Sequence, residues 1–241
     1  MIIIPAIDLR GGRCVRLLRG DYGLETAFGD PLEYAKRWVR EGASRLHVVD
    51  LDGAREGKPR SENLAVVRAI VNATAVPVQM GGGVRSVATA EMVLELGVDR
   101  VVVGTSIATS AGEARRFFEI LGDHVIAGVD ARDGRVAVEG WLRETEERAA
   151  AFAARMVALG AQRLVFTDIS RDGTQAGPNL TALREVAESA GVPVIASGGV
   201  GSLNDIVKLG TLAPSNVEGV IVGKALYSGA LSLRDAIAAL E

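Results

Sequence analysis

Residues 4–15 read IPAIDLRGGRCV, and residues 126–138 read IAGVDARDGRVAV. Each stretch is a short apolar run that ends in Asp, Asp8 in the first and Asp130 in the second. Four and five residues after the Asp comes a Gly-Arg pair, Gly12-Arg13 and Gly134-Arg135. The spacing of 122 from Asp8 to Asp130 is close to half of the 241-residue chain. The echo continues outward in order. GGGVRS (81–86) returns as SGGVGS (197–202), VDRVVVGTSI (98–107) as VEGVIVGKAL (217–226), and VDLDGAREGKPRSENL (49–64) more loosely as TDISRDGTQAGPNL (167–180). A period this long is no solenoid repeat of ~20–50 residues. It suits two halves of one domain, about 1–121 and 122–241.

Apolar runs of strand length recur at MIIIPAI, RLHVVD, VPVQM, RVVVG, VIAGVD, RLVFTD, VPVIAS and VEGVIVG. They are rich in Val and Ile with little polar alternation, as parallel strands covered on both faces require. Between them lie amphipathic stretches of helical length, such as PLEYAKRWVREGA and NLTALREVAESAG, several of them stopped by glycine (Gly42, Gly97, Gly160, Gly191). Eight strands alternating with eight helices predict an α/β chain folded as a (β/α)8 TIM barrel built from two duplicated (β/α)4 half-barrels. The single domain covers 1–241, and ~250 residues is the usual size. An open doubly wound sheet is the alternative, but no G-x-G-x-x-G follows the first strand.

Composition narrows the function classes. Aromatics are 4% of the chain and the net charge is −3, which gives no base-stacking surface and no general attraction to nucleic acid or acidic membranes. Cys14 is the single cysteine, so an internal disulfide and a cysteine zinc site are both excluded. The start MIIIPAIDLRGG lacks the basic flank and long apolar core of a signal peptide, and no apolar run reaches ~18 residues. A soluble cytoplasmic protein is expected.

In a barrel, the carboxyl ends of all strands share one face, where catalytic side chains collect. Asp8 and Asp130, on opposite strands, are expected to overlook one pocket; the alternative is that each caps a turn or pairs with a nearby arginine. The glycine-rich ends carry a second signal. Gly82 and Gly83 after strand 3, and Gly104-Thr105 after strand 4, offer backbone N–H groups that can hold a phosphate. Gly198, Gly199, Gly223 and Lys224 form the matching set after strands 7 and 8. Lys224 sits where a Schiff base could form, but its place directly after Gly223 favours a phosphate contact. His47 and His124 stand at the starts of strands 2 and 5, away from the active face, and read as structural; no third ligand accompanies them, so no metal site is expected. Trp141 lies in the long segment after strand 5, either as core or to stack on a planar ring of a substrate.

Together IPAIDLRGGRCVRL, GDPLEYA, VDLDGA, QMGGGVR, VGTS, GVDARDG, TDISRDGT, ASGGVGS and VGKALY closely resemble the histidine-biosynthesis isomerases that act on the phosphoribosylformimino derivative of aminoimidazole carboxamide ribotide. The likeness runs from about Ile2 to Leu240. It implies a half-barrel-duplicated (β/α)8 fold and a small substrate with two phosphates. The reaction implied is an Amadori rearrangement of an aminoaldose to an aminoketose, with no cofactor, no metal and no obligate protein partner. By the same resemblance Asp8 is the proton acceptor and Asp130 the proton donor. Thr167 would hydrogen-bond at the ribose, and Arg19 in the first loop would reach the substrate. The rivals are the sister cyclase that works with a glutaminase, a dual-substrate isomerase that also accepts phosphoribosylanthranilate, and a phosphate-binding module without catalysis. The last has no need of both carboxylates.

Overall fold

A computed structural model describes all residues, Met1–Glu241. Eight parallel strands form its centre: β1 (Ile2–Arg10), β2 (Leu46–Asp50), β3 (Val78–Gly81), β4 (Arg100–Val103), β5 (Val125–Arg132), β6 (Leu164–Asp168), β7 (Val194–Ser197) and β8 (Val217–Val222). Each pairs with the next, and β8 returns to β1 in parallel register from Ile2↔Gly219 to Pro5↔Val222. The sheet is therefore closed, and the chain is a (β/α)8 TIM barrel, not an open doubly wound sheet.

Two apolar layers hold it together. Inside the barrel Ile4, Ala6, Ile126, Val165, Ile195 and Ile221 fill the axis. Outside, the other face of each strand packs against the helix ring through a larger cluster that includes Trp38, Phe117 and Phe152. Both faces of the strands are buried, which is why the runs lack alternation. The helix Pro31–Arg40 shows the local logic. The Asp30 side chain accepts from the Leu32 N–H at 2.8 Å, Pro31 opens the first turn, and Ala35 and Trp38 face the barrel. Four helical segments end where predicted, with Gly42, Gly97, Gly160 and Gly191 all at positive φ. No helix is long and apolar enough to cross a membrane.

One feature was hidden in the sequence. β1 and β5 run past the barrel rim and fold back as antiparallel hairpins, with Arg13–Leu18 on β1 and Arg135–Val138 on β5. The turns are Gly11-Gly12 (φ +53° and +73°) and Asp133-Gly134 (φ +51° and +79°). Positive φ at both central residues is the two-residue turn that matches strand twist. The echoed Gly-Arg pair is thus hairpin geometry, with Arg10↔Arg13 and Arg132↔Arg135 closing each turn.

Candidate active site

Side chains alternate along a strand, so every second residue near a carboxyl end points inward. Ala6 and Asp8 of β1, His47 and Val49 of β2, Gly128 and Asp130 of β5, and Val165 and Thr167 of β6 all line one cavity at the barrel mouth. The same cavity takes in Gly82, Gly83, Gly104, Thr105, Trp141, Gly198, Gly199, Gly223 and Lys224. Of the positions nominated from sequence, only Arg19 stays outside. Its side chain is exposed, and its backbone N–H donates to the Asp172 carbonyl at 3.2 Å.

Asp8 and Asp130 occupy equivalent places but meet opposite surroundings. Burial pushes the Asp8 carboxyl up from the ordinary range, and the Arg16 guanidinium pulls it back down. Arg16 Nη1 donates to Asp8 Oδ2 at 2.5 Å, and its Nη2 donates to the Ala6 carbonyl at 3.1 Å. Burial also pushes the Asp130 carboxyl up, but no cation faces it; neutral hydrogen bonds from Trp141 and Thr167 lower it in part. The two halves differ at just these partners. The hairpin position of Arg16 is held by the apolar Val138 in the second half, and the strand position of Thr167 by Val49 in the first. A cation beside one carboxyl and neutral donors beside the other act in the direction that favours the ionised form at Asp8 over that at Asp130.

Two more groups at the mouth are not evident from the sequence. Arg16 lies between Arg13 and Arg19 in a run of basic residues, and only inward alternation on a strand paired back to β1 selects it. Asp172 lies in the loop after β6 and lines the cavity. Burial raises it to about 6; Arg16 opposes that rise, whereas the charges of Asp8 and Asp130 add to it.

The glycine pairs form matched cradles. Gly82 and Gly83 have φ +102° and +78°, and Gly198 and Gly199 have +95° and +90°. Space as well as φ demands glycine there. A Cβ on Gly82 would collide with the Asp50 carbonyl, one on Gly198 would lie 2.8 Å from the Asp168 carbonyl, and one on Gly199 2.5 Å from that of Gly177. Each pair rests on the loop of the preceding strand, and the two loops are braced alike. Asn63 Nδ2 donates to Asp50 Oδ1 at 2.6 Å, and Asn179 Nδ2 donates to Asp168 Oδ2 at 2.8 Å. The short helices Thr105–Thr109 and Lys224–Tyr227 start at Gly104 and Gly223 without a side-chain cap, which leaves their first N–H groups free. Arg85 lines the cavity beside the first cradle and Lys224 beside the second, where the Arg16 guanidinium also packs against Gly223. Thr105 also ties down the β5 hairpin, because its Oγ1 accepts from the Glu139 N–H at 2.9 Å.

Trp141 adopts φ +71°, packs its indole against Gly20 in the turn after the first hairpin and lines the cavity beside Asp130, so it bridges the two rim loops. His47 does not stand away from the active face, contrary to what its place near the start of the strand predicted. Its ring is buried but belongs to the cavity lining, at the floor. His124 is exposed, with Nδ1 2.8 Å from the Asp99 carbonyl. Cys14 is buried and donates to the Tyr227 hydroxyl at 3.3 Å.

A family profile described as "Histidine biosynthesis protein" matches residues 2–232. Among curated relatives, one from Gloeothece citriformis is 49% identical over 241 residues, covering 100% of this chain and 93% of its own. One from Moorella thermoacetica is 50% identical over 239 residues, covering 99% and 98%. One from Brevibacillus brevis is 48% identical over 241 residues, covering 100% and 96%. All three are named 1-(5-phosphoribosyl)-5-((5-phosphoribosylamino)methylideneamino) imidazole-4-carboxamide isomerase. With its closed barrel, paired carboxylates and near-complete match, the chain belongs to the histidine biosynthesis protein family.

Proposed function

We propose that this chain is an isomerase of histidine biosynthesis that converts the bis-phosphoribosyl aminoaldose named in its relatives to the corresponding aminoketose. The observation that carries the reading is the split environment of Asp8 and Asp130. Asp130, without a cation, donates its proton to the ribose ring oxygen, and the ring opens to a Schiff base. Asp8, kept ionised by Arg16, takes the proton from the neighbouring C2. The resulting enolamine collapses to the ketone. Each proton transfer by a positioned group contributes ~10²–10⁴-fold. Thr167 holds the Asp130 side and the adjoining ribose. The substrate's two phosphates sit one in each glycine cradle, near Arg85 and Lys224, which suspends the reacting sugar between the acids. Separate duplicated halves, 1–121 and 122–241, account for two cradles and two strand-end carboxylates. A cytoplasmic enzyme acting on a small molecule without an obligate partner follows from the same reading.

The test is incubation of the purified protein with the aminoaldose and, separately, with phosphoribosylanthranilate, each followed by absorbance. Turnover of the first alone is expected. Turnover of both makes it a dual-substrate enzyme, and turnover of neither overturns the proposal.

A further inference from the structure

We propose that His47 is a further catalytic residue of this reaction, whose ring Nε2–H at the cavity floor donates to the oxygen on C2 of the opened sugar. The inference rests on the isomerase reading above and adds to it a group outside the two acids and the phosphate cradles.

His47 and Gln79 face each other across β2 and β3 inside the barrel, in register, with Gln79 Nε2 3.1 Å from His47 Nδ1. The corresponding places in the second half, also in register, hold Val165 and Ile195, two members of the apolar axis. Packing alone is therefore satisfied by an aliphatic pair at this level of the barrel. The polar pair is the costlier choice. Gln79 is fully buried, and its Oε1 has no hydrogen-bond partner. A buried polar pair kept on one side of a symmetric core, and on the side of Asp8, points to chemistry.

In this placement the Gln79 amide N–H faces Nδ1, the arrangement that goes with a ring proton on Nε2. Burial, with Arg16 nearby, holds the imidazole neutral, its pKa lowered to about 3. No protein group accepts from Nε2, and the ring lines the cavity. His47 is in register with Ala6, so it stands one inward step below Asp8, ~6.6 Å along the strand. A sugar carbon that gives its proton to Asp8 carries its own oxygen toward that floor. There a neutral N–H polarises the C2–oxygen bond as the carbonyl forms and neither gains nor loses a proton itself. Neutral imidazole donors serve other aldose–ketose isomerisations in this way.

Two measurements test the assignment. In ¹⁵N-histidine NMR at pH 7 the chain gives signals from only two histidines, so assignment needs a single His124→Gln control. The ring of His47 is expected to carry its proton on Nε2; a proton on Nδ1, or an imidazolium, overturns the proposal. The double variant H47V/Q79I copies the aliphatic pair of the second half and is expected to melt no lower than the parent. Its kcat on the aminoaldose should fall ~10²–10³-fold, the usual loss for one such donor, with KM changed less than ~3-fold. A folded double variant with kcat within ~3-fold of the parent overturns the role of His47 and leaves the isomerase reading standing. A parent that converts no aminoaldose overturns that reading itself.

Discussion

Replacing Arg16 by Met should move the acid limb of the pH–rate profile upward and leave the alkaline limb where it is. In the native site Arg16 Nη1 lies 2.5 Å from Asp8 Oδ2, with both side chains only about a tenth exposed (11% and 12%). At a charge separation of ~4 Å and an effective dielectric of ~20 the attraction is ~4 kcal/mol, equivalent to ~3 pKa units at 1.36 kcal/mol each. Solvent relaxation puts the realistic range for an arginine beside an aspartate at ~1–3 units. The sign follows from the role. Arg16 favours the charged carboxylate, so its removal raises the Asp8 pKa, and a base must be ionised to act. kcat/KM should therefore fall on the acid side of the profile, by up to ~10–1000-fold where the pH lies below both the native and the shifted pKa, and recover as the pH is raised past the new pKa. Asp130 has no cation beside it, so the limb that reports its protonated form stays put. The assay is the absorbance change of the aminoaldose from pH 5 to 9, with circular dichroism to verify the fold. An acid limb displaced by less than ~0.3 unit would refute the pairing as the cause of Asp8's basicity.

Asp8→Asn and Asp130→Asn should each abolish most turnover while substrate affinity, measured by calorimetry, stays largely intact; near-normal kcat in either removes its role. Asp172 has a folded pKa of about 6 against an ordinary 3.8, so the stability it allows is present below about pH 4 and lost as the pH rises through 6. Asp172→Asn should thus stabilise the protein above pH 6 by no more than ~3 kcal/mol in urea titrations, with no gain at pH 4. Gly82→Ala combines a left-handed φ with a collision against the Asp50 backbone, and should cost ~2–4 kcal/mol. Gly122→Ala, with open space around it, should cost ~1 kcal/mol. Lys224→Met and Arg85→Met should raise KM ~10–100-fold with little change in kcat. A collapse of kcat for Lys224→Met would instead restore a Schiff-base role for that lysine.

The barrel was legible because its signals are local and repeated. Val/Ile runs, amphipathic intervals and glycine stops recur often enough that no single ambiguous segment decides the outcome. Strand-end carboxylates and glycine cradles were legible for the same reason, since each appears twice at matched spacing. What the sequence concealed were contacts created by folding back. Arg16 reaches Asp8 because the Gly11-Gly12 turn reverses the chain onto β1, which a reading of Gly-Arg as loop does not reveal. Trp141 meets Asp130 through a positive-φ kink, and Asp172 enters from an irregular loop with no period to betray it. His47 is misplaced when position along a strand is read without the direction of the side chain. One residue of alternation separates a structural histidine from one inside the cavity.

¹³C-carboxyl NMR titration of the free enzyme, with the Asn variants assigning the two signals, reads whether divergence of their neighbours gave two duplicated carboxyls opposite protonation. Asp8 should ionise first, with Asp130 retaining its proton to distinctly higher pH. An Asp130 that ionises before Asp8, or two signals that titrate together, would contradict the account.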